Sequence, residues 1–369
     1  SQSQRPHLCH PLNRQPRLLV HLRLLRPLHP NRIPNPSHKL GIRNREFNIM
    51  KIFVTGCAGF IGYHLTKSLL EKDHKVLGID NLNDYYDPKL KQDRLNELVS
   101  YKNFTFQKID ISDREPLTRA FINFKPQMVF NLAAQAGVRY SIENPYVYMN
   151  ANIVGFLNII ELCRHNDVEG LIYASSSSVY GGNTKIPFRV EDRVDNPISL
   201  YAATKKSNEL MAHAYSHLYG LRTTGLRYFT VYGPWGRPDM AYYLFTDKIA
   251  NGEPIPVYNH GDMKRDFTYI DDIISGTKAA IDKNYKCEVF NLGNHRSEKL
   301  MDMVQLIEEN LRKKAEINYL PMQLGDVKES YADIKKSNEM LRYEPTTNVD
   351  VGIKKFVEWY CTHYSINIV

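Results

Sequence analysis

The sequence lacks a long apolar run. No stretch of its 369 residues approaches the roughly 18 consecutive apolar residues that a helix needs to cross a bilayer. Its leucine-rich N-terminal part is interrupted by Arg23 and Arg26, so the unbroken apolar core of a secretory leader is missing as well. The five cysteines form no CxxC pair and have no metal-ligand spacing with the histidines. We therefore expect a cytoplasmic protein with reduced thiols, no membrane partner and no bound metal.

Excess charge is absent from most of the chain. The formal net charge is +8, but residues 1–49 alone carry eight Arg and one Lys against one acid, Glu46. The other 320 residues hold 39 basic and 39 acidic side chains, so they offer no basic face to a nucleic acid. Residues 1–49 could be an organellar transit peptide, but their many prolines oppose an amphipathic helix. We predict a disordered, dispensable basic tail over residues 1–49.

From Met50 onward the chain alternates apolar runs with helical periodicity. The apolar runs predict strands at 51–55, 76–80, 104–109, 128–132, 170–174 and 222–228, with helices between most of them. This repeat predicts an α/β fold with a Rossmann-type doubly wound parallel sheet covered on both faces. The regularity loosens after about Phe229. We therefore predict one domain at 50–228, with a later contribution near 266–292, and a smaller C-terminal substrate domain at 229–369.

A glycine-rich segment follows the first predicted strand. It reads GCAGFIG over residues 56–62, a GxxGxxG pattern between a strand and a helix. Glycines allow a tight turn and let backbone N–H groups approach a pyrophosphate at the positive end of a helix. Asp80 ends the second predicted strand 18 residues after Gly62. A carboxylate there can accept from both ribose hydroxyls and would repel a 2′-phosphate, so the pattern predicts NAD rather than NADP.

A second motif combines a tyrosine, a lysine and a run of serines. Tyr201 and Lys205 are four residues apart, so they lie on one face of a helix, where an ammonium group can favour the ionised phenol. Four serines at 175–178 directly follow the predicted strand at 171–174. Because ligands bind at the carboxyl edge of a parallel sheet, these serines are predicted to face a substrate.

These motifs, in this order, resemble the extended short-chain dehydrogenases/reductases of the nucleotide-sugar epimerase type, from Met50 to the C-terminus. The resemblance implies a homodimer, an NAD-binding domain at 50–228 and a domain at 229–369 that mainly binds a nucleotide sugar. By position it implies a catalytic set of Ser176, Tyr201 and Lys205. Its implied NAD contacts are Gly56, Gly59, Phe60, Ile61, Gly62, Asp80, Asn81, Asp110, Ile111, Gln135, Asn152, Tyr201, Lys205 and Tyr228. Gln135 stands where the galactose epimerases have a lysine.

The substrate class is indicated by two further strings. The segments RYFTVYGPWGRPDM at 227–240 and GVRYSIENP at 137–145 are similar to those of the UDP-glucuronate 4-epimerases. Thr230 and Arg237 then become candidates for binding a C6 carboxylate, since a hydroxyl and a guanidinium match a planar anion. Arg265 resembles the family's phosphate-binding arginine and Asp326 its uridine-ribose contact. The remaining candidates for substrate contact are Ser177, Ser178 and Arg139.

The reaction itself is inferred from what the serine run does not contain. Related enzymes that eliminate water or decarboxylate place an acid beside the catalytic Ser or Thr, and residues 175–178 include none. Oxidation at C4 followed by hydride return to the other face then gives NAD-dependent 4-epimerisation through a transient 4-keto intermediate. Two alternatives stay open. One is a 4-epimerase of UDP-N-acetylhexosamines or UDP-galactose, and the other is a non-catalytic NAD-binding regulator.

Overall fold

The computed structural model describes residues 49–367, so most of the predicted tail lies outside the described residues. The strands alternate with helices along the first two thirds of the described chain. They are β1 (Lys51–Thr55), β2 (Lys75–Asp80), β3 (Phe104–Lys108), β4 (Met128–Asn131), β5 (Gly170–Ser176), β6 (Thr223–Tyr228), β7 (Thr230–Tyr232), β8 (Ile255–Tyr258), β9 (Lys264–Arg265), β10 (Phe267–Tyr269), β11 (Cys287–Leu292), β12 (Glu298–Lys299), β13 (Ile317–Leu320) and β14 (Glu329–Ser330).

The helices separate and cover these strands. They are α1 (Phe60–Leu70), α2 (Pro88–Leu98), α3 (Arg114–Phe124), α4 (Tyr140–Glu143), α5 (Pro145–Tyr148), α6 (Gly155–His165), α7 (Leu200–Tyr219), α8 (Ala241–Asn251), α9 (Ile270–Lys283), α10 (Leu300–Leu311), α11 (Lys335–Leu341) and α12 (Val349–His363). A π-helical turn, Met149–Val154, leads into α6, and 3₁₀ turns occupy Ser177–Tyr180 and Asn259–Gly261. Within residues 49–367 no helix is long and apolar enough to span a membrane.

The main sheet has seven parallel strands in the order β11-β6-β5-β4-β1-β2-β3. It confirms the predicted doubly wound fold, and all six strands predicted from the apolar runs are present with ends shifted by at most two residues. The strand order reverses between β1 and β4, and such a switch point opens a crevice at the carboxyl ends of the strands. Strand β11 shows that residues after 229 also enter this sheet.

Both faces of the sheet are buried, as the sequence of β1 illustrates. Ile52 and Val54 join one hydrophobic cluster, which includes α1, α9 and α12, whereas Phe53 joins another, which includes α3 and α6. Alternate residues of a strand point to opposite faces, so a strand covered on both faces must be apolar throughout. That requirement explains why the strands appear in the sequence as short continuous apolar runs.

The C-terminal part adds three small sheets, β10-β7, β12-β9-β14 and β13-β8. Their short strands bring residues 264–269 and 329–330 beside the carboxyl ends of the main sheet. Helix α12 packs through Phe356 and Trp359 against aromatic side chains of α8 and of the 233–236 segment. This arrangement places the C-terminal segments over the crevice of the parallel sheet.

Candidate active site

The glycine-rich loop, residues 56–62, connects β1 to α1 and is closed by contacts that exclude side chains. Gly56 has φ +71°, and a Cβ on it would lie 2.7 Å from the backbone nitrogen of Ala133. A Cβ on Gly62 would lie 2.0 Å from the carbonyl oxygen of Gly56. Helix α1 begins after Gly59 and no side chain caps it, so its first-turn N–H groups face the cavity without a side-chain acceptor. This cradle fits a pyrophosphate.

Asp80 lies at the end of β2, next to the glycine-rich loop. Its Oδ2 accepts from the backbone N–H of Ala58 (3.3 Å) and its Oδ1 from that of Leu82 (2.8 Å). These two bonds fix the orientation of the carboxylate, and one oxygen lone pair on each side is still available to a ribose hydroxyl. Asn81 donates to Asp110 (2.8 Å), which ties the ends of β2 and β3 together. The residues present therefore fit an adenosine ribose without a 2′-phosphate.

The predicted catalytic residues come from β5 and α7. Strand β5 extends through Ser175 and Ser176, and the Ser176 hydroxyl accepts from the backbone N–H of Ser178 (3.1 Å). Helix α7 is capped by Ser199, whose hydroxyl accepts from the N–H of Ala202 (3.1 Å). This cap places Tyr201 in the first turn of α7, where the Ser176 hydroxyl is near enough to its phenol to act on the pKa.

Lys205 lies one helical turn after Tyr201 on the same face of α7, and its ammonium group is directed at strand β5. Its Nζ donates to the carbonyl oxygen of Ala174 (2.9 Å) and lies 6.0 Å from the centre of the Tyr201 ring. Burial raises the pKa of Tyr201, opposed by the nearby Ser176 hydroxyl and by the charge of Arg237. Burial also lowers the pKa of Lys205 to about 8. Lys205 is not among the groups that lower the pKa of Tyr201 here, so its effect on the phenol stays a prediction.

A buried ion pair that the sequence did not reveal, Glu209 with Arg227, contacts the serine run on the side away from the cavity. The Glu209 carboxylate accepts from Arg227 at Nε (2.8 Å) and Nη2 (2.9 Å) and from the Ser175 hydroxyl (2.6 Å). Arg227 also donates to the hydroxyl of Tyr180 (2.9 Å). Glu209 lies two helical turns after Tyr201 on α7, and a period of four residues from 201 to 209 is the one signal that could have pointed to it.

One cavity of about 680 Å³ gathers the predicted site residues. All of them line it except Asn152, which is 2% exposed and does not reach the cavity surface. The amide of Asn152 is occupied within the protein: its oxygen accepts from the N–H of Gln135 (2.9 Å), and its nitrogen donates to Thr204 (3.0 Å). Asn152 therefore supports the segment that carries Gln135 instead of facing the cavity. Its position in a π-helical turn matches the frequent use of such turns at functional sites.

Arg237 lies in the cavity as a member of an ion pair. Its Nε and Nη2 donate to the Asp239 carboxylate at 3.0 Å and 2.5 Å, and the hydroxyl of Tyr85 donates to the same carboxylate (3.1 Å). Burial would lower the pKa of Arg237, but the charge of Asp239 outweighs this and raises it. Arg237 is thus cationic at any working pH. The sequence analysis did not identify Asp239 and Tyr85, because nothing in the string around Arg237 shows which groups it meets.

Arg265 and Asp326 also meet directly. Arg265 Nη2 donates to Asp326 Oδ1 (2.8 Å), and its Nη1 donates to the carbonyl oxygen of Lys264 (2.8 Å). Burial lowers the pKa of Arg265, and the charge of Asp326 partly opposes that effect. Both side chains line the cavity together with Arg139, whose guanidinium lies over the ring of Tyr258 at 5.1 Å. Two cations at this end of the cavity can hold a diphosphate.

Across the described residues, no group of three or more His, Cys, Asp or Glu has the arrangement of a metal site. A doubly wound sheet in which a tyrosine and a lysine one helical turn apart face serines at the end of a strand is the arrangement of the extended short-chain dehydrogenases/reductases. Within that class, the chain belongs to the NAD-dependent epimerase/dehydratase family, whose sequence profile matches residues 52–293.

Several characterised and uncharacterised proteins are similar to the chain over most of its length. Protein CapI of Staphylococcus aureus is 51% identical over 335 residues, which cover 85% of this chain and 99% of CapI. UDP-glucuronate 4-epimerase 4 of Arabidopsis thaliana is 46% identical over 342 residues, which cover 88% of this chain and 78% of the plant protein. The crystal structure of UDP-glucuronic acid 4-epimerase from Bacillus cereus with UDP-glucuronic acid and NAD matches with a TM-score of 0.81 at 34% identity, covering 85% of this chain and 100% of that one.

Proposed function

We propose that this chain interconverts UDP-glucuronate and UDP-galacturonate by NAD-dependent epimerisation at C4 of the sugar. The observation that carries the proposal is the location of Arg237, which lines the same cavity as Ser176 and Tyr201 and is close enough to act on the pKa of the phenol. A cation at that place can pair with a carboxylate at C6 while C4 lies at the phenol. The similarity to two UDP-glucuronate 4-epimerases supports the same substrate.

NAD, when bound, accepts a hydride from C4 and later returns it. The residues of this chain supply the proton chemistry and the orientation. Tyr201, as phenolate, accepts the proton of the C4 hydroxyl and gives it back to the C4 oxygen after the sugar has presented its other face. Ser176, whose hydroxyl lies near that phenol, orients the C4 oxygen. Lys205 is held by the Ala174 carbonyl and has two further N–H donors for the nicotinamide ribose.

The arrangement of carboxylates favours epimerisation over elimination. Glu209 approaches Ser175, but Arg227 holds both of its oxygens and it does not line the cavity. Among residues 49–367, no acid beside Ser176 is therefore free to move a further proton, so the 4-keto sugar is reduced again. A 4-keto uronate is a β-keto acid that can lose carbon dioxide. If Thr230 and Arg237 hold the carboxylate so that the C5–C6 bond is not aligned with the π orbital of the C4 carbonyl, this loss is suppressed.

The remaining assignments follow from the same cavity. We propose that Arg139, Arg265 and Asp326 bind the diphosphate and uridine, and that Ser177, Ser178 and Thr230 contact the sugar. The Oγ of Ser178 is buried and has no hydrogen-bond partner in the protein, which leaves it available to a substrate oxygen. We further propose that residues 50–228, with the segment 266–292, form the NAD-binding domain and that 229–369 mainly bind the nucleotide sugar.

We also propose a cytoplasmic homodimer that supplies uronate units for polysaccharide synthesis. Helices α6 and α7 lie side by side and expose apolar side chains, among them Leu157 on α6 and Leu210, Leu218 and Tyr219 on α7. Two such faces can bury each other in a symmetric dimer. Multi-angle light scattering tests the stoichiometry, and a Leu210→Glu, Leu218→Glu double variant is expected to be monomeric.

Incubation with a panel of UDP-sugars tests the proposed reaction. Purified protein with NAD is offered UDP-glucuronate, UDP-glucose and UDP-N-acetylglucosamine, and products are resolved by chromatography. We expect UDP-galacturonate to form fastest, and we expect Tyr201→Phe to abolish every product. Preferred conversion of either neutral sugar would favour the alternative 4-epimerase. Stoichiometric NAD binding without turnover of any sugar would favour the non-catalytic regulator.

A further inference from the structure

The loop segment Gly233–Gly236 immediately precedes Arg237 and has an unusual backbone. Gly233 has φ +141° and Trp235 has φ +61°, a left-handed conformation that costs free energy for a residue with a side chain. A Cβ on Gly236 would lie 1.9 Å from the hydroxyl of Tyr242. Such a conformation persists only where surrounding groups hold it, so the contacts of this segment determine where Arg237 points.

The side chain of Trp235 is packed between two helices from opposite ends of the chain. Its ring centroid lies 5.6 Å from that of Tyr63 on α1, and 5.2 Å and 4.9 Å from those of Trp359 and His363 on α12. These tilted and edge-on contacts resist rotation of the ring. They fix the side chain of the segment but do not by themselves fix its peptide groups.

Three successive carbonyl groups of the segment accept hydrogen bonds from α1 and α2. His64 Nε2 lies 2.9 Å from the Pro234 oxygen, and because a carbonyl only accepts, Nε2 carries the proton. Arg94 donates to the Trp235 oxygen from Nε (3.2 Å) and Nη2 (2.7 Å), and to the Gly236 oxygen from Nη2 (2.9 Å). Every peptide carbonyl from residue 234 to residue 236 is thus oriented by a side chain of the NAD-binding half.

Arg94 also binds the glycine-rich loop. Its Nη1 donates to the carbonyl oxygen of Ala58 (2.9 Å), in the middle of residues 56–62, and to the hydroxyl of Tyr86 (2.7 Å). The side chain is fully buried, and within residues 49–367 it forms no ion pair. A buried guanidinium with only neutral acceptors is uncommon because desolvation of the charge is costly. Its five hydrogen bonds connect the loop that faces the pyrophosphate to the segment that carries Arg237.

We propose that Arg94 and His64 are positioning residues that hold Pro234, Trp235 and Gly236 against the glycine-rich loop and thereby aim Arg237 at the C6 carboxylate of the sugar. This inference rests on the proposed function, because it assigns to the pair a role in recognising a uronate. Arg94 and His64 line no part of the cavity and touch no substrate. They act through the direction of the backbone at residue 237.

The test compares a uronate with a neutral sugar in full-length protein loaded with NAD. One variant is Arg94→Lys, which keeps the positive charge but loses the several N–H donors of the guanidinium group. The other two are His64→Leu and His64→Gln. The amide nitrogen of Gln can still donate to the Pro234 oxygen, whereas Leu cannot. For each variant, kcat and KM are measured with UDP-glucuronate and with UDP-glucose, and folding is checked by thermal unfolding and NAD content.

We expect Arg94→Lys to lower kcat/KM for UDP-glucuronate about 10- to 100-fold more than for UDP-glucose, since small misplacements of a binding group have effects of that size. His64→Leu should likewise lower the ratio of kcat/KM for UDP-glucuronate to that for UDP-glucose, and His64→Gln should restore this ratio. Added to Arg237→Ala, Arg94→Lys should lower the ratio no further, because coupled residues are not additive.

Equal losses on both sugars, or an additional loss of the ratio in the Arg237→Ala background, would overturn the inference and leave the pair a purely structural role. If Arg94→Lys does not fold, the two His64 variants decide, since equal ratios for Leu and Gln would also overturn it. Failure of the proposed function is seen separately, as the absence of UDP-glucuronate turnover by the unsubstituted protein.

Discussion

Arg237 and Asp239 form a two-point ion pair inside the cavity that Tyr201 also lines, with Nε–Oδ1 at 3.0 Å and Nη2–Oδ2 at 2.5 Å. Their side chains are 23% and 30% exposed, so the pair faces the space that a substrate would enter. A C6 carboxylate arriving there would share the guanidinium with Asp239. Loss of the Arg237 charge should therefore weaken uronate binding, whereas loss of the Asp239 charge should strengthen it.

Arg237→Ala should reduce activity on UDP-glucuronate far more than on UDP-glucose. Only the uronate loses a charge-assisted partner, worth about 1.5 to 3 kcal/mol or roughly 10- to 150-fold in kcat/KM. Steady-state kinetics on both sugars measures the difference. The misplaced carboxylate should also decarboxylate more often, so a UDP-pentose is expected among the products. Equal losses on the two sugars without a pentose would assign Arg237 a structural role.

Asp239→Asn should lower the KM for UDP-glucuronate and leave that for UDP-glucose nearly unchanged. Asn keeps the shape and can still accept from Arg237 and Tyr85, but it no longer competes as an anion for the guanidinium. The expected change is about 5-fold or less, which corresponds to roughly 1 kcal/mol for a partly exposed charge pair. A rise in KM for the uronate would mean that Asp239 mainly aligns Arg237.

Tyr201→Phe should lower turnover by about two to four orders of magnitude on every sugar while NAD stays bound. The substitution removes the proton acceptor but almost no contact area. Single-turnover kinetics and the ratio of bound NAD to protein measure the two effects. Tyr319→Phe, at an exposed tyrosine of β13 that does not line the cavity, is the matched control and should behave like the unsubstituted protein.

The pH dependence of kcat/KM should reflect the titration of the Lys205 ammonium group. Its folded-state pKa of about 8 lies below the ordinary value, so the charged fraction falls as pH rises through that value. If the ammonium form holds the nicotinamide ribose, kcat/KM decreases above about pH 8. Lys205→Arg should remove this falling limb because a guanidinium stays charged throughout the accessible range. An unchanged limb in that variant would assign it to another group.

Deletion of residues 1–49 should leave the melting temperature and activity nearly unchanged. The segment has too little apolar periodicity to pack on a folded body, and most of it lies outside the described residues. Differential scanning calorimetry and the UDP-sugar assay compare the two lengths of chain. A large loss of stability on truncation would show that the segment packs against the rest of the protein.

Much of the fold was predictable from the sequence because parallel strands buried on both faces must be apolar at every position. The runs that became β1, β2, β4 and β5 are largely of this kind, whereas the edge strand β3 is half-exposed and β6 includes Thr and Arg; all six were identified to within two residues. The glycine-rich loop and the placement of Tyr201 on α7 were predictable for a related reason. Both depend on spacings of a few residues, which local chain geometry fixes.

The pairings around the site were not predictable in this way. Arg94 meets Trp235 across 141 residues and Ser175 meets Glu209 across 34, and no periodicity in the chain relates such positions. The direction of a side chain was also beyond the sequence pattern. Lys205 lies on the predicted face of its helix, yet its ammonium group donates to Ala174 instead of lying against the phenol, because a buried charge takes the acceptor that is nearest in the fold.

The sequence alone therefore determined the parallel sheet, the nucleotide cradle and the identity of the serine, tyrosine and lysine, since these rest on local patterns and on burial. Only the tertiary structure decided which charges share the cavity: Arg237 with Asp239, and Arg265 with Asp326. The physical reason is that an ion pair forms between groups that folding brings within about 4 Å, whatever their separation along the chain.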